Sequence, residues 1–240
     1  MAKTLAVITA RGGSKRIPKK NIREFCGQPI IAYSIQAALA SGLFDAVMVS
    51  TDDREIAEIS AKYGAEIPFM RSAETADDYA TTEDALMEVL ERYRDLGRSF
   101  DLVCNLYPTA PFITAERLKE AYDLISAGDC NVVFPVVPFA FPPQRGLYDE
   151  NGFITPASPA DYMKRSQDFR PVYHDCGQFY FYRVDSFLGS GSTVDHARPL
   201  IISEMEVQDI DTLTDWELAE MKYRLRKSSE GKEDRDGSIR

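Results

Sequence analysis

The chain has 240 residues, of which 44% are hydrophobic, enough to bury a full core within one domain. Its net charge of -10 at pH 7 excludes a surface built to coat nucleic acid, and makes any basic cluster a local exception suited to a small anion. The four cysteines, Cys26, Cys104, Cys130 and Cys176, form no C-x-x-C and read as reduced structural thiols. Residues 1–10 lack the apolar stretch of a signal peptide and no run reaches membrane-spanning length, so a cytoplasmic protein without membrane partners is expected.

The apolar run Leu5 to Ile8 reads as a strand that ends in Ala10-Arg11-Gly12-Gly13-Ser14-Lys15-Arg16-Ile17-Pro18-Lys19-Lys20-Asn21. Without a Cβ, Gly12 and Gly13 are expected to take positive φ and let backbone N–H groups converge on an anion, while Arg11, Lys15, Lys19 and Lys20 supply charge. The segment has neither the G-x-x-x-x-G-K-[ST] nor the G-x-G-x-x-G spacing, so the common nucleotide fingerprints drop out. A basic surface turn after an edge strand is the simpler alternative.

Pro29 opens an amphipathic helix with Ile31, Ile35, Ala38 and Leu39 on one face and Gly42 at its end. Asp45 to Ser50 is a buried strand, after which Asp52 or Asp53 can cap a helix running to about Tyr63. Ala65 to Met70 reads as a further short strand, and the polar loop from Arg71 to Thr82 ends in threonines placed to cap a helix over 83–96. Asp101 to Leu106 is a central strand stopped by Tyr107-Pro108-Thr109-Ala110-Pro111, with a helix from Ala115 to Ala127 and a strand from Asn131 to Val137 beyond.

Prolines and aromatics accumulate over 138–175 with little helical periodicity, which predicts an ordered, β-rich flap packed against a second copy of the chain. Gln178 to Tyr182 and Pro199 to Ile202 read as strands, and a last helix runs to about Lys227 with Leu218, Met221 and Leu225 on one face. One domain over 1–227 results, with a disordered tail at 228–240. Strands alternating with helices make it an α/β protein with a mostly parallel central sheet, whose strand ends gather the polar loops.

Asp209 and Asp211 lie two apart in an extended segment and so share a face, a pattern suited to Mg²⁺ held jointly with substrate phosphates. The alternative is that Asp211 only caps the last helix while Asp209 is solvated.

The 10–21 run, the Arg71 loop, the Tyr107–Pro111 turn and Asp209-Ile210-Asp211, in that order and spacing over roughly 4–225, resemble the cytidylyltransferases that activate sialic-acid-like sugars, the CMP-acylneuraminate synthetase family. The resemblance implies a Rossmann-like nucleotide-diphospho-sugar transferase fold, and the flap predicts a homodimer. It also implies a reaction between CTP and a nonulosonic acid sugar that gives a CMP-sugar and pyrophosphate. By the resemblance, Ala10, Arg11, Gly12, Gly13, Ser14, Lys15, Lys20 and Asn21 hold the triphosphate and ribose, Arg71, Thr81 and Thr82 meet the cytidine, and Asp209 and Asp211 bind Mg²⁺. Arg11, Lys20 and Asp211 would then carry the catalysis.

Sialate-activating members resemble Q-P-T-S-P where this chain has Tyr107-Pro108-Thr109-Ala110-Pro111, and N-G-x-x-Y near Gln178-Phe179-Tyr180. Both departures resemble the pseudaminate-activating branch, with sialate and legionaminate as the alternatives. Tyr107, Thr109, Gln178 and Tyr180 are the implied sugar contacts, and Arg165 and Arg170 of the flap are candidates for the sugar carboxylate or the pyrophosphate. His174 reads as a structural, hydrogen-bonded histidine. A GT-A glycosyltransferase and a non-catalytic CTP-binding module are the rival readings.

Overall fold

The computed structural model describes residues 2–13, 16–190 and 194–236. Its main sheet contains β1 (Thr4–Thr9), β2 (Ala46–Ser50), β3 (Leu102–Leu106), β4 (Val132–Pro138), β5 (Tyr173–Asp175), β6 (Phe179–Arg183) and β7 (Ala197–Ile201). The spatial order is β7-β4-β6-β3-β1-β2, with β5 pairing to β4 off that path. Strand β1 runs parallel to β2 and β3, and β7 parallel to β4, whereas β6 is antiparallel to both β3 and β4. The carboxyl ends of β1, β2 and β3 therefore lie along one edge of the sheet, the position at which open α/β sheets bind ligands.

The longer helices are α1 (Ile30–Ser41), α2 (Arg54–Lys62), α3 (Thr82–Asp95), α4 (Ala115–Ser126) and α5 (Leu213–Asp236). One sheet face packs on α1 and α4 through Ile31, Ile35, Leu118 and Ile125 against Cys104, Leu106 and Phe181. The other carries Leu5, Val7, Val103 and Tyr180 and is covered by Leu86, Val89, Leu90 and Tyr93 of α3. Because side chains alternate along a strand, neighbouring residues of β3 and β6 belong to opposite layers.

Several expected elements form with the physics that predicts them. Gly42, at φ 66°, ends α1, and Asp53 caps α2 by accepting from the N–H groups of Glu55 and Ile56. Thr81 and Asp84 form a reciprocal capping box at the start of α3.

Other expectations are corrected. Helix α1 is buried nearly all round and only its Leu39 edge is 45% exposed, because it lies beneath the basic loop as well as on the sheet. Residues 65–70 form no strand. Glu66 makes one bridge to Met48, and Pro68 then removes a donor that a ladder would need. Helix α5 runs on to Asp236, past the predicted end near Lys227, so residues 228–236 of the expected tail are helical. Residues 237–240 fall outside the described residues.

The 138–175 excursion is ordered, but it is only partly β. It contains one hairpin, Leu147–Glu150 with Phe153–Pro156, turning at Asn151 and Gly152, both at positive φ, together with short helical turns. Phe153 is 77% exposed, and Tyr148, Ile154 and Leu147 are exposed around it.

Candidate active site

A third cluster fixes the basic loop. Ile17 is buried with Phe25, Ile30, Phe112, Ile210 and Trp216, so the middle of the loop is fastened to the start of α5 and to the acidic segment before it. Asn21 is also buried, and its amide donates to the Arg11 carbonyl at 2.9 Å, tying the end of the loop to its beginning. Ala10 is core, and its N–H donates to Ser50 O at the end of β2. Sequence order thus becomes an open bowl at the strand ends.

A cavity of about 630 Å³ fills that bowl, lined by Thr9, Arg11, Gly13, Arg16, Lys20 and Asn21 on one side and by Thr82, Tyr107, Pro108 and Thr109 on the other. The basic loop and the Tyr107 turn therefore wall one cavity. A basic turn at an edge strand is excluded, since β1 lies between β2 and β3.

Neither glycine adopts the expected left-handed backbone. Gly12 is required for a different reason: a Cβ there would stand 2.9 Å from Asp53 Oδ2, while its N–H donates to Asp52 Oδ1 at 3.0 Å. Gly13 has open space around it on the cavity side. The left-handed residue is Lys19, at φ 53°, and its ammonium pairs with Glu55 instead of turning into the cavity. Ser14 and Lys15 lie outside the described residues.

Arg11 reaches across to the 71–82 loop, donating to Asp77 O at 3.0 Å and to Asp78 Oδ1 at 3.1 Å. Arg71 turns onto the end of β2. Its guanidinium donates to Ser50 Oγ at 3.0 Å and Ser50 O at 2.7 Å, so it braces β2, and burial lowers its pKa. Thr81 is occupied as the cap of α3, whereas Thr82 stands on the cavity wall.

The acidic segment meets the loop through charge. Asp211 Oδ2 pairs with Arg16 at 2.8 Å and its Oδ1 lies 3.7 Å from Lys20 Nζ, which also donates to Ile210 O at 2.6 Å. Asp211 does not cap α5. That task belongs to Thr212 and Asp215, since Thr212 Oγ1 accepts from Asp215 N–H at 3.2 Å while Asp215 accepts from the N–H of Thr212 at 2.8 Å. Asp215 is held below its usual carboxylate range, first by its bond with the Thr212 side chain. Asp211 is thereby left to the loop. Ile210 is buried between the two aspartates, so side-chain alternation turns both away from the core.

These carboxylates fit a hard divalent cation. Among the described residues no three acidic, histidine or cysteine groups form a metal cage, so such an ion would have to draw further oxygens from a substrate.

Two other expectations are corrected. Gln178 is buried and its amide donates to Glu206 O at 2.6 Å, so it supports the turn leading to Asp209 instead of lining the cavity. A buried amide must pair, and this partner is the one the sheet edge offers. Arg165, 74% exposed, pairs with Asp168, and Arg170 lines a small cleft within the flap; in one copy of the chain neither reaches the site. His174, as expected, is structural: its Nδ1 lies 2.9 Å from Asp175 O and its ring packs on Phe139. All four cysteines are free, and burial raises their pKa values, that of Cys176 to about 12.

Tyr107 is half-buried, and its ring centroid lies 5.7 Å from that of Tyr180. Tyr180 in turn donates to Asp175 Oδ2 at 2.7 Å. Burial raises the pKa of both tyrosines, which keeps them as neutral hydroxyl donors. Sequence reasoning missed Arg16 and Asp52. Arg16 carries a signal, because it sits inside the basic run, whereas Asp52 has none short of the fold.

An open α/β sheet with a cationic loop and the Asp211 carboxylate beside it at its strand ends defines a nucleotide-handling class of protein. Residues 5–185 match the cytidylyltransferase family, and the chain belongs to it: it is a CTP-using nucleotidyltransferase. It is 40% identical over 229 residues to pseudaminic acid cytidylyltransferase of Campylobacter jejuni, covering 95% of this chain and 99% of that protein. It is also 33% identical to CMP-N,N'-diacetyllegionaminic acid synthase of Legionella pneumophila over 90% of this chain and 94% of that protein. In fold it is similar to a CMP:2-keto-3-deoxy-manno-octonic acid synthetase complexed with CTP, with a TM-score of 0.68 and 19% identity, covering 94% of this chain and 100% of that one.

Proposed function

We propose that this cytidylyltransferase takes pseudaminic acid as its sugar, joins it to CMP from CTP and releases pyrophosphate. The observation that carries the reading is the single 630 Å³ cavity walled by the basic loop on one side and the Tyr107–Thr109 turn on the other. The sugar's anomeric hydroxyl attacks the α-phosphorus and gives up its proton to water, the bond from that phosphorus to the α,β-bridging oxygen breaks, and pyrophosphate leaves with that oxygen and the displaced charge. Arg11, Arg16 and Lys20 would neutralise that charge, with Ala10, Gly12, Gly13 and Asn21 shaping the backbone cradle and Thr82 at its rim. Tyr107, Thr109 and Tyr180 would face the sugar. Positioning and charge stabilisation supply the rate.

Asp209 and Asp211 would hold Mg²⁺, which when bound supplies charge neutralisation to the phosphate oxygens. The present pairing of Asp211 with Arg16 and Lys20 supports this, because a carboxylate already beside the loop needs little movement to share it with a metal and a triphosphate. The exposed apolar hairpin of the flap would join two copies into a homodimer, and the protein would act in the cytoplasm. No helix of the described residues is long and apolar enough to cross a membrane.

The second reading is N-acetylneuraminate or legionaminate as the sugar, favoured by the likeness to the Legionella enzyme. The test is pyrophosphate release from CTP with each sugar in turn. We expect the highest kcat/KM with pseudaminate, dependence on Mg²⁺ and loss of activity on chelation. A higher kcat/KM with N-acetylneuraminate would overturn the sugar assignment.

A further inference from the structure

Behind Tyr107 lies a second cavity of about 170 Å³, lined by Thr82, Glu83, Asn105, Tyr107, Asp175, Tyr180 and Tyr182. It shares Thr82 and Tyr107 with the large cavity, so the two adjoin across those side chains. At about 30 Å³ of liquid volume per water, it has room for a substituent of several heavy atoms.

The register explains its polarity. Asn105 stands opposite Tyr180 across the β3–β6 pair, and Tyr107 and Tyr182 lie two residues along on the same face. Further along that face the layer is apolar, with Leu5, Val7 and Val103 packed against the inner side of α3.

Asn105 is 1% exposed and its Nδ2 has no hydrogen-bond partner. Its Oδ1 accepts from Thr9 Oγ1 at 3.2 Å, so turning the amide round would only leave the oxygen unpaired in place of the nitrogen. A buried amide left unpaired costs stability, and such an atom calls for an explanation. A ligand group that pairs with it supplies one.

We infer that the Asn105 cavity is the subsite for an acylamino substituent of the sugar, with the Asn105 amide bonding the substituent's amide and Glu83 and Asp175 favouring its N–H. The inference rests on the cytidylyltransferase reading above. Two carboxylates at the rim repel the sugar's own carboxylate, which is thereby directed to the cationic side of the large cavity. An amide is the small group that both donates and accepts, as this wall requires. The subsite therefore orients the sugar as well as selecting it.

The test compares pseudaminate with the analogue of the same configuration that carries hydroxyls in place of the acylamino groups. For Asn105→Leu, close in size to the native residue, we expect the ratio of kcat/KM between the two sugars to fall about tenfold or more, with KM for CTP within about twofold of wild type. Tyr182→Phe keeps the ring packing and tests the same wall if the first variant folds poorly; there we expect the ratio to fall about fivefold. An unchanged ratio in folded variants, or equal losses on both sugars, would overturn the subsite while leaving the cytidylyltransferase reading intact. Absence of turnover by the wild type with any keto-acid sugar would bring down both.

Discussion

The strand-end bowl and the flap are built from similar residues, arginines, aromatics and prolines, yet they are held in opposite ways. In the bowl the long side chains are tied to different parts of the chain: Arg11 to the 71–82 loop, Arg16 and Lys20 to Asp211, and the Tyr107 ring to that of Tyr180. In the flap the charged groups pair locally, Lys164 with Asp161 and Arg165 with Asp168, and the aromatics Tyr148 and Phe153 face outward. Long-range ties fix a geometry before substrate arrives, which is what charge stabilisation needs. Local ties leave a surface whose apolar area is still to be covered.

The largest effect should come from cutting the bowl at its acidic end. For Asp211→Ala we expect turnover to fall about 100-fold or more while CTP binding remains measurable by calorimetry. Lys20→Ala, which removes the tie to Ile210 and the proposed phosphate contact, should weaken CTP binding and turnover together. Wild-type rates in either variant would break the contrast between the regions.

Gly12→Ala comes next. Its Cβ would meet Asp53 Oδ2 at 2.9 Å, so the loop must shift; we expect KM for CTP to rise about tenfold and stability to fall by about 1 kcal/mol. Gly13→Ala, with nothing in its way, should leave stability nearly unchanged. Equal thermal stability for the two variants would show that the approach to Asp53 is not limiting.

The flap should answer in assembly instead of chemistry. Replacing Phe153 and Ile154 together by serine is expected to shift a dimer to monomer in sedimentation or light scattering, with a small change in Tm. If wild type is already monomeric at micromolar concentration, the flap serves another purpose.

The smallest effect concerns the support of the acidic segment. Arg117 grips Glu206 with two bonds of 2.8 Å and thereby holds the Glu206 carboxyl below its usual range. A depressed pKa in the folded state contributes stability above the ordinary carboxylate value and loses it as pH falls through the lowered one. Glu206→Gln should therefore cost about 1 kcal/mol at pH 7, partly screened by solvent, and the Tm gap to wild type should close in acid. A gap independent of pH would mean that the pair's charge does not matter.

Much of the scaffold was legible because its signals are local. Apolar runs mark β1 to β4, Asp53 and Thr81 cap helices that start where caps belong, and the basic run stands out in an acidic chain. The sequence reading erred where a side chain's fate depends on a distant neighbour. Gly12 looks like a turn glycine until Asp53 is beside it, and Gln178 looks like a sugar ligand until Glu206 O takes its amide.

By itself the sequence determined that this is an acidic α/β protein with a cationic loop after its first strand and a carboxylate pair near residue 210, because composition and periodicity are properties of neighbours along the chain. Only the tertiary structure decided that Asp211 faces that loop instead of capping a helix, and that Asn105 sits opposite Tyr180 with an amide left unpaired. Strand register and packing bring together residues far apart in sequence, and hydrogen-bond satisfaction exists only once they have met.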